Sequence, residues 1–206
     1  MSYIVTYSGH NFDYGNIQEN KIDLYDILHS LTRINRFVGH SIRPYSVAEH
    51  SLNCLTLSKE LKYSKREQML VLIHDFTEAY VGDCPSPLKE LLPEYLEIEK
   101  KVERVIFNYF GLSPMTDVEH TKVKFIDRLM LIIEMRELTR HNDAWRNLIS
   151  DDRLKIAMQN IDISKLSLSK SYEPREIRLI LMIANELNDI GESIQDLYGE
   201  SSKQNE

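Results

Sequence analysis

Helix-start signals followed by apolar residues at helical spacing recur along this chain, and they leave little of it for a sheet. Ser46-Val47-Ala48-Glu49 and Ser64-Lys65-Arg66-Glu67 are both capping-box patterns, in which a serine hydroxyl and a glutamate three residues on satisfy each other's free backbone N–H groups. Ahead of them Leu24, Ile27, Leu28, Leu31 and Ile34 fall on one face of a helix expected over Asp23–Arg36. The second capping box opens a helix that should run to Val81, with Gly82 able to take the left-handed conformation that ends it. Pro93, at a first helical position, opens another expected to reach Phe110, where Gly111-Leu112-Ser113-Pro114 stops it. Val123, Ile126, Met130 and Ile133 stripe a helix over about Asp117–Arg140. A last helix is expected from Pro174 onward, carrying Ile177, Ile180, Leu181, Ala184, Leu187 and Ile194.

The remaining segments are short. Residues 3–20 are rich in Tyr, Gly, Asn and Asp and predict an irregular arm or small hairpin packed on the helices. Asp83-Cys84-Pro85-Ser86-Pro87 is expected to be a loop, because two prolines break a helix. Residues 142–172 are less regular, with a short helix around Asp151–Asn160, and the polar tail Glu200–Glu206 should fray. With no internal repeat or linker, the chain of 206 residues reads as one all-α domain over 1–206.

Charge and cysteine usage narrow the function classes. A net charge of −7 argues against a nonspecific binder of nucleic-acid polymers, though a local basic pocket still suits a small anion. Two cysteines, Cys54 and Cys84, without a CxxC, give neither a disulfide framework nor a structural zinc set. No basic n-region with a long apolar run marks a signal peptide at Met1-Ser2-Tyr3-Ile4-Val5, and no segment has the length of a membrane span. A cytoplasmic location follows as the expectation, without a membrane partner.

The chemistry centres on His74-Asp75, set at the end of the apolar run Met69-Leu70-Val71-Leu72-Ile73. Imidazole and carboxylate are costly to bury unless paired, hydrogen-bonded or bound to a cation. Glu78 follows at helical spacing on the same side, and Asp83 lies in the turn beyond. His50 shares a helix face with Val47 and Cys54, and Asp127 interrupts the stripe of Val123 and Met130. Each has a plainer account: a core histidine, a solvated acidic helix end, an ion pair of Asp127 with Arg128. Together, two imidazoles and two carboxylates from three helices suit a divalent cation such as Mn²⁺, Co²⁺, Fe²⁺ or Zn²⁺, or Mg²⁺. Such an ion would polarise a P–O bond and lower the pKa of a coordinated water. Arg33, Arg36, His40 and Arg43 precede His50, either as a solvated helix end or as a phosphate-binding cluster.

The order His50, His74-Asp75, Asp127 resembles the HD-domain superfamily of metal-dependent phosphohydrolases, an all-α helical bundle. Tyr45-Ser46-Val47-Ala48-Glu49-His50-Ser51 and His74-Asp75-Phe76-Thr77-Glu78-Ala79-Tyr80-Val81-Gly82-Asp83, continued by Pro85-Ser86-Pro87-Leu88-Lys89, are similar to the two signature blocks of its bacterial 5′-deoxynucleotidase branch. Thr6-Tyr7-Ser8-Gly9 and Ile34-Asn35-Arg36-Phe37-Val38-Gly39-His40 look closer still to the phage dATP triphosphohydrolases. The resemblance implies that His50, His74, Asp75 and Asp127 are metal ligands and that Glu78 and Asp83 are the catalytic acids. It implies phosphate contacts from Arg36 and Lys89 and a sugar or base contact from Phe37. The spacing from Arg36 to His50 looks about one residue short of the deoxynucleotidase pattern, so Arg33 or Arg43 would share or replace the role of Arg36.

The implied activity is hydrolysis of a deoxynucleotide at its α-phosphorus, turning dATP, dADP or dAMP into deoxyadenosine. The alternatives are a nucleotidase acting only on monophosphates with broad base range, a phosphohydrolase of another ester such as a cyclic dinucleotide, and a non-catalytic module that senses nucleotides. Related enzymes form homo-oligomers, which implies the same here, and a phage-encoded protein would work in the host cytoplasm.

Overall fold

The computed structural model describes residues 2–112, 114–140, 144–149, 152–168 and 176–202. The fold is all-α apart from one hairpin. Its strands β1 (Tyr3–Val5) and β2 (Asn11–Asp13) pair antiparallel with Ile4 opposite Phe12. The helices are α1 (Leu24–Leu31), α2 (Val47–Glu60), α3 (Lys65–Ile73), α4 (Glu78–Val81), α5 (Ser86–Lys89), α6 (Pro93–Tyr109), α7 (Asp117–Leu138), α8 (Asp152–Asn160) and α9 (Glu176–Ser202). Among the described residues no helix is long and apolar enough to cross a membrane.

Helix α3 is the centre of the bundle, packed against α2, α7 and α9. Gln68 through Ile73 are all buried on it. A helix that is apolar all round must be covered on every side, and here Leu55 and Leu57 of α2, Ile126, Leu129 and Ile133 of α7, and Ile183 of α9 belong to the same core. The hairpin arm is fixed to this bundle by Phe12, which stacks on Tyr80 at 4.1 Å, and by Ser8, whose N–H and hydroxyl both donate to the Asp26 carboxylate at 2.7 Å.

The helix starts fall where the local signals place them. Both serine capping boxes form, and a third, Thr116 with Glu119, opens α7. Pro93 occupies the first turn of α6, and Gly82 (φ 79°) and Gly111 (φ 66°) take left-handed conformations beyond helix ends. Several expected ends were misplaced. The first helix stops at Leu31 rather than Arg36, because Asn35 forms an antiparallel bridge with Ser46; Arg36 N–H donates to the Tyr45 carbonyl at 2.9 Å and Val47 N–H to that of Ile34 at 3.0 Å. The helix from Ser64 does not run unbroken to Val81 but ends at Ile73. Phe76 N–H then bonds the Ile73 carbonyl, and Glu78 N–H that of Asp75, both at 3.0 Å and in the tighter three-residue pattern, before α4 begins.

Pro87, expected in a loop, lies in the first turn of α5, where a helix needs no N–H from it. Helix α7 ends at Leu138, two residues before the expected Arg140. The expected starts at Asp151 and Pro174 lie outside the described residues, and α9 continues to Ser202, into the tail expected to fray from Glu200.

Candidate metal centre

His50, His74, Asp75 and Asp127 each turn one ligand atom toward the same point, all within 4.8 Å of one another. His50 lies in the first turn of α2 and His74 caps the C-terminus of α3. Asp75 stands in the turn that follows, and Asp127 comes from the middle of α7. From His50 Nε2 the distances are 3.3 Å to His74 Nε2, 3.4 Å to Asp75 Oδ2 and 3.3 Å to Asp127 Oδ1. His74 Nε2 lies 3.3 Å from Asp75 Oδ2 and 3.8 Å from Asp127 Oδ1. Ligands about 2.1 Å from one ion stand about 3.0 Å apart at right angles and about 3.4 Å apart in a tetrahedron. The cluster therefore has the spacing of a first coordination shell.

The far sides of both rings are already bonded, which fixes where the free nitrogens point. His74 Nδ1 lies 2.7 Å from the Val71 carbonyl, and His50 Nδ1 lies 2.6 Å from Glu134 Oε1. Each partner is an acceptor, so each Nδ1 carries a proton and each Nε2 is the nitrogen left to face a cation. Burial works against charge on both rings, yet the surrounding carboxylates raise the pKa of His50 and His74 above the ordinary value. Burial works against the Asp127 carboxylate, yet the two imidazoles hold its pKa well below the ordinary value. The Asp127 side chain is 44% exposed, so the centre opens to solvent on the α7 side. The donor set and its geometry fit a divalent cation, and a structural ion pair of Asp127 with Arg128 does not form: Arg128 donates to the Leu148 carbonyl at 3.2 Å.

A model of the HD domain family matches residues 26–167, more than half of the chain. The chain belongs to the HD-domain family. It is 43% identical over 139 residues to the uncharacterized protein YfdR of Escherichia coli (strain K12), a span of 67% of this chain and 73% of that one. A Yersinia pestis (strain Pestoides F) protein named 5′-deoxynucleotidase is 32% identical over 129 residues, covering 57% of this chain and 66% of its own length. A protein of the same name from Yersinia pseudotuberculosis serotype O:3 (strain YPIII) matches to the same extent.

Beside the four donors of this HD centre stand two further acids. Glu78 is only 4% exposed, and its Oε2 is buried without a hydrogen-bond partner. Burial, then repulsion by Asp75 and Asp83, raises its pKa well above the carboxylate range. Asp83 is raised by burial and by Asp75, against the pull of Arg36 and Lys89. These acids and cations thus share one electrostatic neighbourhood.

The expected phosphate-binding residues divide. Arg36 is brought to the centre, but its guanidinium bridges Asp75 Oδ2 (Nη1, 3.3 Å) and Glu134 Oε2 (Nε, 3.2 Å). Phe37 follows it in a half-buried, left-handed position, its ring centroid 5.9 Å from the guanidinium carbon. Lys89 pairs with Glu99 at 2.5 Å. Arg43 is drawn elsewhere: its guanidinium is buried against Glu49 Oε1 (2.9 Å), the Pro44 carbonyl (2.6 Å) and the Ser167 carbonyl (3.3 Å), where it ties α2 to the 163–168 segment. Arg33 is exposed and lines a groove with Tyr7 of the arm and Ser30, away from the Glu134 network.

Sequence reasoning missed Glu134. It is 0% exposed and accepts from His50 Nδ1, from Arg36 Nε and from the Tyr45 hydroxyl at 2.8 Å, while Asn53 donates to that hydroxyl at 2.9 Å. The signal was a charge closing the apolar run Leu131-Ile132-Ile133, seven residues and nearly two whole turns after Asp127 on α7.

Proposed function

We propose that this HD-domain protein is a metal-dependent hydrolase that removes the 5′ phosphate part of deoxynucleotides, with deoxyadenosine nucleotides as preferred substrates. The observation that carries the reading is the four-donor cluster with two acids of raised pKa at its edge. The relatives named 5′-deoxynucleotidase support the substrate class. The motifs in Thr6–Gly9 and Ile34–His40 that resemble phage dATP triphosphohydrolases support the preference for adenine and the acceptance of triphosphates.

A divalent cation held by His50, His74, Asp75 and Asp127 supplies Lewis-acid polarisation of the phosphoryl group and an acidified water. Glu78, whose environment favours the protonated form, is suited to hand a proton to the departing 5′ oxygen. Asp83, whose pKa the nearby cations restrain, is suited to take one from the attacking water. Arg36 holds Asp75 in place from behind, and Lys89 can exchange Glu99 for a phosphate oxygen as charge redistributes in the transition state. Phe37, next to Arg36, offers an apolar contact to the sugar or base.

A second reading, a nucleotidase confined to monophosphates, is favoured by the name 5′-deoxynucleotidase that the Yersinia relatives carry. One experiment decides: chromatographic analysis of products from dAMP, dATP and the other deoxynucleotides with Mn²⁺ or Co²⁺. Deoxyadenosine with tripolyphosphate from dATP supports the first reading, and turnover of monophosphates alone supports the second. Release of nothing from the whole panel removes the enzymatic assignment.

A further inference from the structure

His50 Nε2 has one more neighbour than the four-ligand site uses. Cys54 Sγ lies 3.3 Å away, one helical turn further along α2, on a side chain that is fully buried. The thiol completes a separate donor set with the two imidazoles: His50, Cys54 and His74 also present ligand atoms within 4.8 Å of one another. Sulfur about 2.3 Å and nitrogen about 2.1 Å from one ion stand about 3.1 Å apart at a right angle and about 3.6 Å apart at the tetrahedral angle. The observed separation falls between these. Because His50 Nδ1 is bonded to Glu134, Nε2 is the ring nitrogen that faces the Cys54 sulfur. A cation bound at Nε2 takes the place of that contact, and leaves the thiol either unpaired in the core or joined to the ion.

We propose that Cys54 gives the centre a second, thiophilic mode, in which a soft divalent cation is held by His50, His74 and the Cys54 sulfur. Harder ions such as Mn²⁺ take the carboxylates of Asp75 and Asp127 instead. Thiolate selects Zn²⁺ and its relatives where carboxylate suits Mg²⁺ and Mn²⁺, so the ion that enters chooses the ligand set. Binding in the thiolate mode forms a metal–sulfur bond and releases the thiol proton to solvent. The inference rests on the metal centre assigned above and adds to it a ligand and a selectivity.

The test is the near-ultraviolet and visible spectrum of the full chain titrated with Co²⁺, with Cys54→Ser, Cys54→Ala and Cys84→Ser alongside. A thiolate-to-cobalt charge-transfer band is expected in the parent and in Cys84→Ser and absent from both Cys54 variants. Zn²⁺ affinity should fall at least tenfold in Cys54→Ser while Mn²⁺ affinity is unchanged, which also shows that the variant is folded. Cobalt bound without that band, a band that survives Cys54→Ser, or equal losses of Zn²⁺ and Mn²⁺ affinity each overturn the proposal. The band is read without turnover. A band in a protein that hydrolyses no deoxynucleotide therefore leaves this inference standing while the functional reading falls, whereas no cobalt binding at all removes the centre and the inference together.

Discussion

The two sides of the HD centre are built on opposite rules. Behind His50, the polar groups around Glu134 answer one another: Glu134 receives His50, Tyr45 and Arg36, Asn53 supports Tyr45, and the Ser167 N–H donates to Asn53 at 2.8 Å. In front, Asp75, Glu78 and Asp83 repel one another, and a buried oxygen of Glu78 has no partner. A saturated network fixes positions, because moving any member unpairs another. An unsaturated one stores the capacity to bind and to move protons. Arg36 spans both sides, with Nε on Glu134 and Nη1 on Asp75. The contrast assigns positioning to the rear and chemistry to the front, and substitutions on the two sides should therefore fail in different ways.

The largest effect is expected at the one proposed ligand that comes from α7. Asp127→Ala removes a carboxylate from the coordination shell and should abolish stoichiometric binding of Mn²⁺. Deoxynucleotide hydrolysis should fall by roughly a thousandfold or more, since the Lewis acid is worth several kcal/mol. Metal analysis of the purified variant with a phosphate-release assay checks both. Full metal content would show that Asp127 is not a ligand.

Glu78→Gln should come next and should separate chemistry from binding. Hydrolysis is expected to fall by about a hundredfold to ten-thousandfold, the range for loss of a positioned proton donor, with Mn²⁺ affinity unchanged. Stability should move the other way. The Glu78 pKa is raised in the folded protein, so the folded state holds this proton more tightly than the unfolded chain does. Its contribution to stability is full below the unfolded carboxylate pKa and is lost as pH rises toward the folded value. Glu78→Gln should thus match the parent in stability near pH 4 and exceed it increasingly toward neutral pH. Urea unfolding across that interval reads the difference; a constant gap would mean that Glu78 titrates normally.

At the rear, Glu134→Gln should behave as a positioning change. Loss of the carboxylate leaves Arg36 without one of its counter-ions and weakens the hold on the His50 tautomer. Metal affinity should drop by about tenfold to a hundredfold, the usual cost of removing a partner behind a ligand. Excess Mn²⁺ should restore most of the turnover, as it cannot for Asp127→Ala. Activity that stays low at saturating metal, with affinity intact, would move Glu134 to the front of the site.

What the sequence revealed follows the same division. Helix starts were legible because a capping box is a local object, complete within Ser46–Glu49 or Ser64–Glu67. The end of the first helix was hidden because the competitor that stops it, the bridge from Asn35 to Ser46, comes from across a turn. His74-Asp75 stood out as a polar pair after an apolar run, and the cluster around it fits the four ligands read from the residues. Arg43 and Arg36 could not be told apart as residue types. Only the fold shows that one meets Glu49 and the Ser167 carbonyl, the other Asp75 and Glu134. Glu134 was visible as a charge closing an apolar run, but its role depends on a ring 84 positions away in the chain.

The smallest expected effect tests how the bridge between the two sides is held. Directly after Arg36 the backbone turns through three left-handed residues, Phe37 (φ 57°), Val38 (φ 51°) and Gly39 (φ 77°). Glycine takes that region freely, but for a β-branched residue it is strained by roughly 1–2 kcal/mol. Val38 is 63% exposed, so buried contacts of its side chain do not compensate for the strain. Val38→Gly should relieve it, less the greater backbone entropy of glycine in the unfolded chain, for a net gain of about 0.5–1 kcal/mol. If the turn serves only to return the chain to Tyr45, turnover and metal affinity will be unchanged. If the strain presses Arg36 onto Asp75 and Glu134, the more stable variant will bind metal less tightly, and a stability gain coupled to weaker Mn²⁺ binding would show that the front of the site is set by this turn as well as by Glu134.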